Sequence, residues 1–135
     1  LTSPLARGIA LSIRHNESRG NYEAKGKSGE YGAYQYILST FKGYSRELTG
    51  EILPFTPTNQ DYVTVLKVQQ WLDRGYTPQQ IFLMWNAGEQ AKKCSAGINR
   101  HGVRYNSCSY VKEGLRVLAD HYSINSVEEI HVTKN

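Results

Sequence analysis

The chain has 135 residues, 39 % of them apolar, and a formal net charge of +4. That length suits one compact domain with its own hydrophobic core, and the apolar content excludes a disordered chain. No apolar run reaches the length of a membrane span, and "LTSPLARG" lacks the basic start and apolar stretch of a signal peptide. The mild basic excess favours anionic partners such as nucleic acid, acidic lipid or bacterial cell wall. No dense Lys/Arg run, Cys/His ligand pairing or aromatic RNA-binding strand points to nucleic acid. His15, His101, His121 and His131 are scattered without ligand spacing, so no metal and no cofactor are expected.

"SPLARGIALSIRHNE" opens as a helix, with Ser3 as cap and Pro4 in the first helical position. Leu5, Ile9 and Ile13 recur every fourth residue and form an apolar stripe, widened by Ala6 and Ala10. "SRGNYEAKGKSGEYGAYQY" carries Gly20, Gly26, Gly29 and Gly32 and reads as a loop with a small irregular hairpin. "LSTFKGYSREL" predicts a short helix with Ser39 as cap, and "TGEILPFTPTNQ" a connecting loop. "DYVTVLKVQQWLDRG" predicts a long helix with Tyr62, Val65, Val68 and Leu72 on its apolar side, ended by Gly75. "TPQQIFLMWNAG" repeats the start signal with Thr77 and Pro78, then buries Ile81, Phe82, Met84 and Trp85 and stops at Gly88.

Residues 89 to 108 read as a polar loop. Cys94 and Cys108 close it as a disulfide, or stand as two buried thiols. "SYVKEGLRVLADHY" predicts a last helix with Val111, Leu115, Leu118 and Tyr122 at helical spacing. One domain over 1–122 and a polar C-terminal extension over 123–135 are expected.

The next step of the first helix's stripe is Glu17. A carboxylate thus continues an apolar face at the C-terminal end of a helix. Burial disfavours its charged form, and the partial negative charge of the helix end pushes the same way. A carboxyl that keeps its proton near neutral pH is suited to general-acid work, such as protonating a departing sugar oxygen. The plainer reading is a glutamate that caps a neighbouring helix or pairs with Arg14 or Arg19, since most helix-end glutamates are merely solvated.

"ESRGNYEAKGKSGEYGAYQYILSTF" resembles the signature of the lytic transglycosylases related to goose-type lysozyme. Glu17 and Ser18 match that family's catalytic glutamate and the serine after it. Gly20 and Asn21 match the following turn, Gly32 and Gln35 the glycine and glutamine of a second block, and Ser39 and Thr40 a helix start. Downstream, Asn86, Ala87 and Gly88 in "MWNAG" match a third block, and Tyr110 in "SYVKEGLRVL" a fourth. The blocks keep the family order across residues 17 to 118. The departures are aromatic or small. Ala33 and Tyr34 replace leucine and methionine, Tyr36 follows Gln35, and Trp85 replaces the tyrosine before Asn86.

The resemblance implies a mainly α, lysozyme-like fold with a small irregular β/loop lobe. It implies a monomeric, extracytoplasmic domain acting on peptidoglycan glycan strands, with Glu17 as acid and then base. Substrate-binding roles are expected for Ser18, Gly32, Tyr34, Gln35, Tyr36, Asn86 and Tyr110. A hydrolytic muramidase would more often need a second carboxylate, about 5 to 9.5 Å away. Glu30 is the leading candidate, ahead of Glu23, Asp61 and Glu89. A non-catalytic wall-binding module is the third reading.

Overall fold

The structure, a computed structural model, describes residues 1–121. Tyr122 and the expected C-terminal extension lie outside the described residues. The elements follow in the order α1 (Pro4–Ser18), α2 (Leu38–Thr49), α3 (Pro57–Asp73), α4 (Pro78–Ala87), β1 (Ala96–Ile98), β2 (Arg104–Asn106) and α5 (Ser107–His121). The fold is mainly α with a small β lobe, and no helix among the described residues is long and apolar enough to cross a membrane.

Helix α1 forms the centre and packs against α3, α4 and α5. The Ser3 hydroxyl accepts the Ala6 N–H at 3.1 Å, so the first turn is capped as its sequence predicts. Ala6, Ile9, Ala10 and Ile13 are completely buried. Their stripe carries Glu17 to the edge of the core. The helix ends on Arg19, a non-glycine residue at φ 57° whose N–H donates to the His15 carbonyl at 3.0 Å.

Helix α4 starts with a reciprocal Thr77–Gln80 capping box and buries Ile81, Phe82, Leu83 and Met84. Helix α2 corrects the cap prediction: its N-cap is Ile37, Ser39 lies inside the helix, and no side chain caps it. Helix α5 buries Val111, Val117 and Leu118 but leaves Leu115 exposed. Its buried Gly114 lies against the Phe82 ring of α4, so the contact face is turned relative to the predicted stripe.

Helix α3 departs further. Tyr62 and Leu72, on the predicted apolar side, are only partly buried, whereas Gln60, Asp61, Thr64 and Lys67 are buried beside Val63, Val65, Val68 and Trp71. Each of these polar side chains has a partner that offsets its loss of water. The Gln60 carbonyl oxygen accepts the Ala33 N–H at 2.9 Å, and the Thr64 hydroxyl pairs with that of Tyr36 at 2.7 Å. Lys67 donates to Glu47 at 3.0 Å and to Gln70 at 2.8 Å. A hydrophobic pattern does not register a face whose partners come from another part of the chain.

The glycine-rich segment forms isolated bridges, Lys25 with Tyr31 and Tyr31 with Tyr36, rather than strands. The two-stranded sheet lies instead within the segment predicted as a polar loop, with β1 antiparallel to β2. Its strands have three residues each and are mostly exposed, so they carry no alternation to detect. Cys94 and Cys108 are disulfide-bonded across 14 positions. Closing a loop of that size contributes about 3 kcal/mol.

Candidate active site

Hydrogen bonds between distant segments assemble the site. Ser18 Oγ donates to the Ala33 carbonyl at 2.8 Å and accepts the Asn21 N–H at 2.9 Å. The end of α1 is thereby stapled to the Gly32–Gln35 turn. Trp85 Nε1 donates to the Tyr34 carbonyl at 3.2 Å, so α4 holds the same turn from another side. With the Gln60 contact, three helices grip four consecutive residues. Gly32 has φ +83°, and a Cβ there would collide with the Gln60 side chain and come within 2.8 Å of Phe55 Cζ. Only glycine satisfies both the backbone and the packing.

Gln35 also has positive φ, at 52°, and its Nε2 donates to the Gly32 carbonyl at 2.9 Å. Arg19 and Gln35 are the only non-glycine residues at positive φ among the described residues, and both border the site. Such backbone is costly and is kept where the surroundings over-determine it. A Cβ on Gly26 would meet Glu30 Oε1 and Gln35 Oε1 at 2.5 Å each, so these two side chains lie together over Gly26. Glu30 Oε1 also accepts the Ser28 N–H at 2.8 Å.

Burial pushes the Glu17 carboxyl up to about 7, and the nearby Glu30 charge adds to the rise. The Tyr110 hydroxyl opposes it from close range. Burial and the Glu17 charge hold Tyr110 well above the usual phenol range, so it remains a donor. That hydroxyl is buried and makes no well-aligned hydrogen bond with any described residue. Asn16 Oδ1 is buried without a partner among the described residues too, while its Nδ2 donates to the Tyr110 carbonyl at 3.2 Å. Two buried polar atoms without a well-aligned partner thus lie at Tyr110 and at Asn16, the residue that holds its backbone. This is the pattern expected where a ligand or water completes the set.

A cleft of about 490 Å³ opens beside them, lined by Glu30, Asn86 and Tyr110 together with Asn99, Arg104 and Tyr105 of the hairpin segment. Glu17 is not itself part of the lining; it stands next to it through Tyr110 and Glu30. A second hollow of about 460 Å³ is lined by Gln35, Tyr36, Tyr44, Trp85 and Glu89. Trp85 of this lining and Asn86 of the first are chain neighbours in α4.

These positions sort the expected site residues. Glu30, Gln35, Asn86 and Tyr110 reach the hollows. Tyr34 does not: it has no exposed surface, and its hydroxyl donates to Asp61 at 2.6 Å. Tyr36 is 3 % exposed and stands at the centre of an aromatic cluster, edge-on to Trp85 at 5.2 Å and Phe41 at 5.3 Å. Only its rim meets the second hollow. Gly32 is buried beneath Gln60 and Phe55, and the Ser18 hydroxyl is occupied by backbone. These four support the site and offer a ligand little or nothing, because the aromatic and small side chains were drawn into the core.

Asp61, a weak candidate for a second acid, is completely buried. It accepts from Tyr34 and from Tyr22, whose hydroxyl is 2.9 Å from both carboxylate oxygens, and Arg14 donates to Tyr22 at 2.8 Å. It anchors the glycine-rich lobe to α3. Glu89 borders the second hollow and accepts from Trp71 Nε1 at 3.3 Å. Glu23 is exposed and lines neither hollow. The hairpin residues escaped prediction, and the flanking cysteines were the one signal that the segment is built rather than slack. Compared with protein-family models, curated proteins and solved structures, the chain has no match.

Proposed function

We propose that this protein cleaves the β-1,4 bond between N-acetylmuramic acid and N-acetylglucosamine in peptidoglycan, as a lytic transglycosylase with Glu17 as its single acid and base. The observation that carries the reading is a carboxyl raised to about 7 beside a cleft, with an unpartnered tyrosine hydroxyl next to it. The order of the motif blocks and their mutual hydrogen bonds support it.

In this mechanism Glu17 donates its proton to the glycosidic oxygen as the bond from muramic C1 to that oxygen breaks. The developing positive charge is helped by the substrate's own acetamido group. The muramic C6 hydroxyl then attacks C1, and the Glu17 carboxylate takes up the hydroxyl proton, which restores the acid. The product carries a 1,6-anhydro ring, and no water is consumed. Attack from within the substrate needs no second carboxylate, since proximity is supplied by the ring. Tyr110 donates to the Glu17 carboxylate once the proton has left, and Gln35 and Asn86 offer amides that both donate and accept to sugar hydroxyls. Tyr44 and Trp85 line the second hollow and give it aromatic surface against which a sugar ring can pack, with Lys67 covering one face of Tyr44. An extracytoplasmic location belongs to this reading.

Hydrolysis is the second reading, because Glu30 lines the same cleft and its charge reaches Glu17. A wall-binding module without activity is the third. Purified peptidoglycan digested with the protein and analysed by mass separates all three. Anhydro products lack one water relative to hydrolytic ones, and a binding module releases nothing. Glu17→Gln protein that still releases fragments would falsify the assignment of the acid.

A further inference from the structure

One part of the cleft lining takes no part in the chemistry assigned to Glu17. It is the β1–β2 hairpin, paired Ala96 with Asn106, Gly97 with Tyr105 and Ile98 with Arg104. A connection between α4 and α5 needs little order, yet this one is fixed at both ends. At its base, beside the Cys94–Cys108 disulfide, the Ser107 N–H donates to the Ser95 carbonyl at 2.8 Å and the Ser95 N–H to Ser107 Oγ at 2.7 Å. At its tip, Asn99 Oδ1 accepts the N–H groups of His101 and Val103 at 2.8 and 3.0 Å. Asn99 Nδ2 then reaches across to donate to Ser28 Oγ at 3.1 Å. Ser28 belongs to the lobe that bears Glu30, so the hairpin and the catalytic side are braced against each other.

Arg104 is exposed and lines the cleft, and its guanidinium makes no hydrogen bond or ion pair with any described residue. The carboxylates on the lining are engaged. Glu113 receives Arg116 at 2.7 and 2.9 Å, and His15 and Arg19 lie within electrostatic reach of Glu113. Glu30 accepts the Ser28 N–H. The charge left over on the lining is therefore cationic, from Arg19 at the end of α1 and Arg104 on the hairpin, and the planar fork of a guanidinium suits a carboxylate. The cleft's volume lies in the range of small-molecule sites and exceeds what a lone sugar hydroxyl requires.

We infer that the hairpin wall is a subsite for the peptide stem of peptidoglycan, with Arg104 receiving a stem carboxylate. This rests on the peptidoglycan reading above. In intact wall the lactyl carboxyl of muramic acid is tied up as an amide, so the carboxylates near the scissile bond belong to the stem. Glycan carrying stems is accordingly the preferred substrate, and glycan stripped of them is cut less well.

The test pairs binding with turnover. In the Glu17→Gln protein, a disaccharide-tetrapeptide should shift backbone amide signals across residues 96–106, and the same disaccharide without its peptide should not. Adding Arg104→Ala should weaken the peptide-bearing ligand about tenfold, the scale of one solvent-exposed charge-assisted contact. Arg104→Lys should recover part of that loss. In the otherwise wild-type enzyme, Arg104→Ala should raise KM on stem-bearing glycan and leave cleavage of amidase-stripped glycan unchanged. Arg104 has no internal partner, so its replacement leaves folding intact. Equal loss on both glycans, or no loss on either, overturns the stem assignment. Binding that behaves as described in a wild-type protein that cuts nothing would preserve this subsite while removing the proposed chemistry.

Discussion

The two walls of the cleft are built by opposite means. Glu17 grows from a helix whose inner face is completely buried, and the turn facing it is gripped by Ser18, Gln60 and Trp85 from three helices. Arg104 stands on a short exposed hairpin, held by a disulfide at the base and an asparagine bridge at the tip. The first wall draws its order from the core, so its acid is desolvated and its proton affinity altered. The second draws its order from local staples, so its cation stays hydrated and available. In the proposed enzyme, burial makes reactivity and exposure makes selectivity.

The sharpest way to break that contrast is at the acid. Glu17→Gln should lower fragment release by about 10²–10⁴-fold, the usual contribution of a positioned acid–base group. In the wild type, turnover should fall as pH rises through about 7, where Glu17 loses its proton. Stability follows the same group. Its folded pKa lies above its unfolded value of 4.5, so the folded state binds the extra proton and stability declines as pH climbs from there through about 7. Glu17→Gln should remove that decline, leaving a protein more stable than wild type above neutrality by up to about 3 kcal/mol and similar to it near pH 4. Urea melts across pH measure it, and parallel curves for the two proteins would show an acid no more buried than an ordinary surface glutamate.

Next in size are the supports of the core-built wall. Asp61→Ala should cost about 3–5 kcal/mol, because the Tyr22 and Tyr34 hydroxyls and the Arg14 charge lose a buried partner. Gly32→Ala should cost about 2–4 kcal/mol, through positive φ and the collision with Gln60. Thermal unfolding checks both. A loss below 1 kcal/mol in either would mean that the turn is looser than its contacts imply.

The hairpin wall should respond differently. Replacing Cys94 and Cys108 together by serine should cost about 3 kcal/mol in global stability. Activity on stem-free glycan at low temperature should survive, since the Glu17 side keeps its contacts. Equal damage to stem-free and stem-bearing turnover would show that the staple serves the catalytic wall too. The smallest effect expected is that of Glu30→Gln. Transglycosylation needs no second carboxylate, so turnover should change by less than about tenfold and the products should remain anhydro sugars. Loss of all activity would move the balance to hydrolysis.

Features set by neighbours along the chain were open to reading before any coordinates. Ser3 and Thr77 cap the helices that follow them because caps act within three residues. The α1 stripe points Glu17 at the core because helical periodicity is local. The stripe therefore determined, by itself, that an acid would sit at an apolar edge. It did not determine which side chains surround that acid. Asp61, Gln60 and Thr64 are buried only because partners 27 to 39 positions away reach them, and Tyr34 turned inward for the same reason. The hairpin wall, with the Arg104 guanidinium unpaired among the described residues, likewise exists only after Cys94 meets Cys108 and Asn99 meets Ser28. Which polar groups are sheltered and which stay free is decided by long-range contact, and no window of sequence contains both halves of such a contact.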